Sequence, residues 1–379
     1  MEPAGRLTSL DAFRGFTIAA MVLVNNPGDW SNLYPQLAHA KWHGWTFTDL
    51  IFPFFLFIGG VSMALSLGRL AAAGANKPQL LAKLARRAAL IFLIGFLLNL
   101  IPHFNFDTVR IPGVLQRIAL CTLLAAPIVV YFSWRAQLAW IAGLYTVYSV
   151  LMLAVPVPGI GAGVLQPGQD LGAYIDRLLL DGHLWVQSKT WDPEGLLSTI
   201  PAVASQLLGV LVGRFLLARQ PRTDQTVWML LGGLLLVWLG MIFDSILMPI
   251  NKSLWTPSYS LLAAGWATVL FAAFYWLLDV NPHAAVRAAA ARWTKPFVIY
   301  GMNALFIFAF SGLVAKMFGF IKFGQADGTL VSLGKSLYTP IRALPIAPVN
   351  TSLLYALLFN AGMFAIAWFM WRKKWFVKV

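Results

Sequence analysis

One stretch of the chain, Gln36–Ser62, joins proton-carrying side chains to a long apolar run. It reads QLAHAKWHGWTFTDLIFPFFLFIGGVS and contains His39, His43 and Asp49. An imidazole with an ordinary pKa of about 6.5 can take and return a proton near neutrality. Asp49 falls in the first turns of a predicted helix, where the helix N-terminus favours a carboxylate. The pattern indicates proton transfer by His39 with Asp49 as its partner. A purely structural capping or pairing role for Asp49 is the alternative.

The rest of the chain has the composition of a membrane protein. Hydrophobic residues make up 59% and charged residues 11% of its 379 residues, and the mean hydropathy is +0.72. Soluble domains carry about 25% charged residues. The net charge of +14 comes from Lys and Arg in short loops between apolar segments. That distribution is typical of cytoplasmic membrane loops and does not indicate a nucleic-acid partner.

About ten segments approach the roughly 20 apolar residues that a membrane-spanning helix needs. We therefore predict an all-α, polytopic membrane helix bundle of about ten transmembrane helices, forming a single domain over residues 1–379. The predicted spans are Ala12–Val24, Thr46–Leu67, Ala88–Ile101, Val114–Phe132, Ala136–Val155, Leu196–Leu217, Val227–Met248, Ser258–Leu278, Phe297–Phe320 and Thr351–Trp371. The alanine-rich segment Ala284–Ala291 predicts a separate, short interfacial helix.

The loop charges also predict how the bundle is oriented. Basic residues concentrate in every second loop, and such loops face the cytoplasm. Both termini are then cytoplasmic, and His39 lies on the outer side. The outer loops Pro156–Gly195 and Lys322–Val349 are long, and long ordered loops are more often functional than connecting. The first 16 residues lack a cleavable signal pattern, so we expect the first apolar segment to be retained.

Polar side chains in or beside the apolar segments need an explanation, because a central charge costs about 2.5–3.5 kcal/mol on insertion scales. Asp11 and Arg14 stand three residues apart on one helical face and can form an ion pair, for which a structural role is favoured over a catalytic one. The other candidates lie within apolar segments or at their ends, and Arg117 and Asn303 among them are predicted to line a polar pocket. These candidates are Asn25, Asn26, Arg110, Gln116, Arg117 and Asn303.

Several familiar catalytic motifs are absent from the sequence. It contains no GxxxxGK[ST], GxSxG, HExxH or HxxxxD pattern. ATP hydrolysis, serine hydrolase chemistry, zinc protease chemistry and the usual soluble acyltransferase signature therefore lose support. The single cysteine, Cys121, lies in an apolar segment and allows neither an intrachain disulfide nor a multi-cysteine metal site. No metal is predicted.

Five blocks of sequence, taken in order, resemble the heparan-α-glucosaminide N-acetyltransferase family and its bacterial relatives, the transmembrane acyltransferases. In that family the active histidine stands in a His-Ala-x-Trp context before a Thr-x-x-Asp-Leu-x-Phe-Pro helix. Those contexts match His39–Trp42 and Thr46–Pro53, and the family's asparagine at the end of helix 1 matches Asn25. The blocks are RLTSLDAFRGFTIAAMVLVNN, LAHAKWHGWTFTDLIFPFFLFIGGVS, DTVRIPGVLQRIAL, DPEGLLSTIPAVASQLLGVLVGR and IYGMNALFIF.

The resemblance implies an enzyme that moves an acetyl group from cytosolic acetyl-CoA to a glucosamine-type amino sugar across a membrane, which for a bacterial member is the inner membrane. It implies that His39, Asn25 and Asp49 are catalytic. Arg110, Gln116, Arg117, Asn26 and Asn303 would then contact the sugar or CoA. The sequence is compatible both with direct transfer and with an acetyl-histidine intermediate. It is also compatible with a monomer or a homodimer. A transporter of N-acetylglucosamine or a related sugar is the alternative function, and a structural membrane protein is the third.

Overall fold

The computed structural model describes residues 7–218, 221–324 and 329–377, and this part of the chain is almost entirely helical. A 3-10 turn covers Pro35–Leu37, and π-helical turns at Ala64–Gly68 and Trp276–Val280 extend α2 and α10. Two short antiparallel strands are β1 (Lys322–Gly324) and β2 (Leu330–Ser332). The α-helices are α1 (Thr8–Val24), α2 (Phe47–Met63), α3 (Arg69–Ala72), α4 (Lys77–Leu100), α5 (Val114–Tyr131), α6 (Trp134–Ala154), α7 (Leu171–Leu180), α8 (Thr199–Leu216), α9 (Arg222–Ile246), α10 (Pro257–Tyr275), α11 (Ala284–Met302), α12 (Ala304–Phe320), α13 (Leu333–Arg342) and α14 (Pro348–Arg372).

The all-α membrane bundle expected from the composition is confirmed. Among the described residues, seven helices are long and apolar enough to cross a membrane, or eight if the bent pair α11 and α12 counts as one span. The other two predicted spans correspond to α1 and α4. Helix α1 has 17 residues, and the first half of α4 carries four basic residues. Both predicted segments were too short, since α1 begins at Thr8 and α4 at Lys77.

Two predictions around the ninth span are wrong. Phe297–Phe320 is not one helix, because the chain breaks at Asn303 and the axes of α11 and α12 differ by 75°. Asn303 leaves the helical conformation, with φ −126° and ψ 34°, and its amide hydrogen-bonds the chain after α14. Ala284–Ala291 is not a separate interfacial helix but the first part of α11. Its alanines favour helix so strongly that the helix continues into the next segment without a break.

The described parts of the two long loops that were predicted to face outward contain regular structure. Helix α7 forms within Pro156–Gly195, and its buried residues include Leu171 and Asp176. The segment Lys322–Val349 contains the β1–β2 strand pair and the amphipathic α13. The described parts of both segments thus pack against the end of the bundle.

Helices α2 and α8 pack closely at the centre of the bundle. A Cβ atom on Gly60 would lie 2.0 Å from the carbonyl oxygen of Gln206, and one on Gly209 would lie 2.1 Å from that of Phe57. The two backbones approach closely because glycine faces backbone at both crossings, as is common between membrane helices. The main apolar core surrounds this contact with side chains from α1, α2, α5, α8 and α10.

Both ends of the described chain lie at the same end of the bundle. The side chain of Asn303 donates to the carbonyl of Trp375 at 2.9 Å and accepts the N–H of Val377 at 2.9 Å. The adjacent Gly301 packs on the backbone of Asp11 at the start of α1. The loop between α1 and α2, which carries His39, lies at the opposite end.

Candidate active site

The loop between α1 and α2 is fixed at both of its sides. Near its start, the N–H of Asp29 donates to Oγ of Ser352 in α14 at 3.0 Å. The hydroxyl of Tyr34 donates to Oδ1 of Asn350 at 2.5 Å. Near its end, Oε1 of Gln36 accepts the N–H of Phe47 at 3.1 Å, one of the donors that a helix start leaves free. The loop therefore presents His39 in a defined place.

His39 and Asp49 form a hydrogen-bonded pair at the start of α2. Asp49 is the third residue of the helix and is 1% exposed. Its Oδ2 accepts the N–H groups of Thr46 and Ala40, each at 3.0 Å, and its Oδ1 lies 2.6 Å from Nδ1 of His39. An ionised carboxylate only accepts, so this network assigns the proton to Nδ1. Nε2 then carries a lone pair, on a side chain that is 47% exposed.

Helix α10 contacts this pair through Tyr259. The second histidine of the loop, His43, has no carboxylate partner among the described residues. The hydroxyl of Tyr259 donates to the backbone carbonyl of Asp49 at 2.5 Å. Nδ1 of His43 instead lies 3.4 Å from the amide nitrogen of Asn251. A carboxylate fixes the tautomer and stabilises the positive charge of an imidazole, and among the described residues only His39 of the two has one. The structure thus separates the two histidines.

Lys252 completes the centre and is not among the residues predicted from the sequence. Its Nζ lies 3.2 Å from Nδ1 and 3.3 Å from Nε2 of His39, and 3.8 Å from Oδ1 of Asp49. Burial lowers the pKa of Lys252, although the carboxylates of Asp49 and Glu194 oppose that shift. The residue stands in the short loop between α9 and α10. Its only signal in the sequence was a lone positive charge in an outer loop.

A buried ion cluster joins the loops before α5 and α8, beside this centre. Arg110, before α5, holds Asp192 through Nε at 2.8 Å and through its terminal nitrogen at 2.5 Å, and it also binds Glu194 at 2.5 Å. Burial disfavours the charges, yet the carboxylates raise the pKa of Arg110, and the arginine lowers the pKa of Glu194. Arg110, predicted to contact the sugar or CoA, thus binds two carboxylates of the protein itself. Its two partners, in the segment DPEG, were not predicted.

Arg117 lies beneath this cluster, fully buried in α5. Its terminal nitrogen donates to the carbonyl of Gly195 at 2.8 Å and to the hydroxyl of Ser198. Its guanidinium carbon lies 5.1 Å from the ring centroid of Trp255, a cation–π arrangement. Within the described residues, its Nε and second terminal nitrogen have no hydrogen-bond partner. Arg117 therefore places positive charge under the loops that carry Glu194 and Lys252.

No hydrogen bond between described residues joins the three predicted asparagines to His39. Asn25 ends α1 with an exposed side chain. Asn26, just after α1, donates to the carbonyl of Val22 in the last turn of that helix at 2.7 Å. Asn303 lies at the far end of the bundle, separated from the His39 side by the length of α14, about 37 Å at 1.5 Å per residue.

Two more predicted groups make their contacts between other parts of the bundle. Gln116 is buried against Gly95 and Gly113, at the junction of α4 and α5. Asp11 and Arg14 form the expected ion pair at 3.2 Å, and Arg14 also donates to the hydroxyl of Ser62 in α2 at 2.9 Å. This pair ties α1 to α2 at the end of the bundle opposite His39. In the described ranges, no group of three His, Cys, Asp or Glu side chains is placed to hold a metal ion.

The family follows from comparison with known sequences. A sequence model of the family described as heparan-alpha-glucosaminide N-acetyltransferase, catalytic, matches residues 6–240, which include His39, Asp49, Arg110 and Glu194. This chain belongs to that family. The resemblance found in the sequence blocks is thereby confirmed.

Two curated members of the heparan-α-glucosaminide N-acetyltransferase family extend the match beyond residue 240. The chain is 33% identical to the human heparan-alpha-glucosaminide N-acetyltransferase over 359 residues, covering 80% of this chain and 52% of the human protein. It is 31% identical to the mouse protein of the same name over 373 residues, covering 84% and 55%. The chain thus spans about half the length of these curated relatives.

Proposed function

We propose that this protein is a membrane N-acetyltransferase that moves the acetyl group of acetyl-CoA to the amine of a glucosamine-type sugar. The observation that carries the proposal is the bond of 2.6 Å between Nδ1 of His39 and the buried carboxylate of Asp49. It leaves Nε2 of a half-exposed imidazole as a base. Membership of the family supports the choice of acetyl donor, and the names of the curated relatives support the class of acceptor.

The transfer needs one proton to move. The neutral amine of the sugar attacks the thioester carbon, the new C–N bond forms and the C–S bond breaks. Nε2 of His39 accepts the amine proton and returns it to the departing thiolate, which leaves as the thiol of CoA. Asp49 stabilises the imidazolium that forms in between. General base catalysis of this kind contributes about 10²–10⁴ in rate. Direct transfer of this form needs no acetyl-histidine.

Asn25 remains our proposed donor to the oxyanion that develops on the thioester oxygen. It follows α1 directly, in the loop that also carries His39, and its exposed side chain is free to turn towards a bound thioester. A donor in this role is worth about 2.7–4 kcal/mol of transition-state stabilisation. Arg117 and Gln116 stay candidates for the pocket that receives the acetyl end of CoA.

The distribution of Lys and Arg supports binding of CoA and of the sugar at opposite ends of the bundle. The basic first half of α4 lies at the end of the bundle opposite His39, because α2 and α3 run from the His39 end to that side. By the positive-inside rule that end is cytoplasmic, and its Lys and Arg residues suit the phosphates of CoA. The sugar then approaches the extracytoplasmic end at His39. For a bacterial protein the membrane is the inner membrane.

The test is CoA release from the purified protein in proteoliposomes, with acetyl-CoA supplied and a panel of amino sugars as acceptors. We expect release that depends on glucosamine or a related amine, with N-acetylated sugar as the product. The competing function, sugar transport, predicts uptake of labelled N-acetylglucosamine without acetyl-CoA. Uptake of that kind, without acceptor-dependent release of CoA, would replace our proposal.

A further inference from the structure

Lys252 holds a primary amine where the acceptor amine has to stand. A general base must lie within about 2.6–3.2 Å of the atom whose proton it removes, with some slack before substrate binds. Nζ of Lys252 lies 3.3 Å from Nε2 of His39. If an amino sugar reacts at this base, its nitrogen takes nearly the same position. The lysine and the acceptor are thus chemically equivalent at the reacting atom.

The loop of Lys252 keeps this amine in place. The side chain of the preceding Asn251 is fully buried and accepts the N–H of Leu254 at 2.9 Å. The carbonyl of Ile250 accepts the N–H of Gly44 at 2.8 Å, which joins the loop to the one that carries His39. The Lys252 side chain is 20% exposed, so a substrate can still reach its tip.

The surroundings of Lys252 also make its ammonium group easier to deprotonate. Burial and the positive charge of Arg117 lower the pKa of Lys252, against the opposing carboxylates of Asp49 and Glu194. A lysine that loses its proton more readily is the usual form of an activated amine nucleophile. His39 stands beside it to remove the second proton as the amine attacks.

We propose that Lys252 is itself an acetyl acceptor, modified by the enzyme when acetyl-CoA is present without an amino sugar. This inference rests on the proposed acetyltransferase function. The bond that forms joins Nζ to the acetyl carbon, and the C–S bond of the thioester breaks. The amine proton passes to Nε2 of His39 and then to the thiolate, so that the products are an acetyl-lysine and the thiol of CoA.

The product is a stable amide, which distinguishes it from a catalytic intermediate. An amide does not pass its acetyl group on to a sugar as a thioester does, so the modified protein stays blocked. Acetylation also removes the charge beside Asp49 and fills the place of the acceptor amine. A bound amino sugar would displace the lysine from the base, and we therefore expect the acceptor to protect the enzyme.

The experiment uses the full-length protein in proteoliposomes with acetyl-CoA and without acceptor, followed by peptide mass spectrometry. Lys41 and Lys189 are exposed in outer loops and report uncatalysed acetylation. We expect Lys252 to be acetylated at least tenfold faster than either control, although it is less exposed. Glucosamine should suppress the modification, and His39→Ala should reduce it to the level of the controls.

A second measurement follows activity after preincubation with acetyl-CoA alone. Wild-type activity towards glucosamine should decline in step with acetylation at Lys252, whereas the activity retained by Lys252→Arg should not decline. If the wild type acetylates glucosamine while Lys252 stays at the level of Lys41, this inference is overturned and the proposed function stands. Unchanged modification of Lys252 in His39→Ala would also overturn it. If neither glucosamine nor Lys252 is acetylated, both proposals fail together.

Discussion

Nδ1 of His39 lies 2.6 Å from Oδ1 of Asp49, while the other oxygen of the same carboxylate accepts the N–H of Thr46 at 3.0 Å. The carboxylate thus closes the first turn of α2 with one oxygen and fixes the imidazole with the other. Capping of the helix and pairing with His39 are thus carried by the two oxygens of one side chain. The helix start is itself the part that positions the imidazole of His39.

Replacing His39 tests the base directly. We expect His39→Ala to fold, because its side chain is half-exposed, and to lose about 10²–10⁴ of kcat for acetyl transfer to glucosamine. The assay is acceptor-dependent release of CoA at saturating acetyl-CoA. His43→Ala is the matched control in the same loop and should stay within a few-fold of wild type. A His39→Ala rate close to wild type would remove the imidazole from the mechanism.

Asp49→Asn tests whether both oxygens of the carboxylate are needed as hydrogen-bond acceptors. An amide can accept with one atom only, so either the helix start or His39 loses its acceptor. We expect kcat to fall by about 10²-fold and stability by about 1–3 kcal/mol, because a buried donor is left unpaired. Both are measured on protein in detergent, by CoA release and by thermal unfolding. Asp29→Asn, in the same loop but outside the pair, should change kcat little; an equal loss there would show a general effect of the loop.

The parts of this site that were predictable are local in sequence. His39 and Asp49 stand ten residues apart around one helix start, and apolar run length revealed most of the long helices. The partners of Arg110 stand 82 and 84 residues away, and Lys252 stands 213 residues from His39. Periodicity carries no information on such pairing. The break at Asn303 was also hidden, since the hydrogen bonds of its side chain to the chain after α14 lie outside the helix pattern.

Replacing Arg110 tests the ion cluster that joins the loops before α5 and α8. Arg110→Ala leaves the carboxylates of Asp192 and Glu194 buried without their partner, and breaking a buried pair in this way costs about 3–5 kcal/mol. Arg110→Lys keeps the charge but loses the forked geometry, so we expect an intermediate loss. Thermal unfolding in detergent measures both. Arg135→Ala, on the exposed start of α6, should change stability by less than about 0.5 kcal/mol. Equal stability of Arg110→Ala and Arg135→Ala would contradict the cluster's structural role.

Gly60→Ala tests the contact between α2 and α8. The added Cβ would stand 2.0 Å from the carbonyl oxygen of Gln206, so the two helices must move apart. We expect a large loss of stability and, because α2 begins at the Asp49 pair, a lower rate of transfer. Gly143→Ala in α6 is the control, since its Cβ would meet nothing within 4 Å. That variant should gain up to about 1 kcal/mol from helix propensity. Tolerance of Gly60→Ala at wild-type stability would show that the helices do not pack as described.

Asp176 predicts a dependence of stability on pH. It lies buried in α7, its Oδ1 accepts the N–H of Leu196 at 2.9 Å, and burial raises its pKa to about 6 from an ordinary 3.8. A raised pKa in the folded state means that the protonated side chain favours folding. Its stabilising contribution is complete below about pH 4 and is lost as the pH rises through 6, which corresponds to about 3 kcal/mol.

Asp176→Asn should keep the bond to Leu196 without the charge. Its advantage over wild type should therefore be absent below about pH 4, grow between pH 4 and 6, and stay constant above. Unfolding in detergent across this range measures the difference between the two proteins. Asp107→Asn, on an exposed loop, should follow the wild-type curve. Parallel curves for Asp176→Asn and wild type would mean that this carboxyl titrates alike in the folded and unfolded chains.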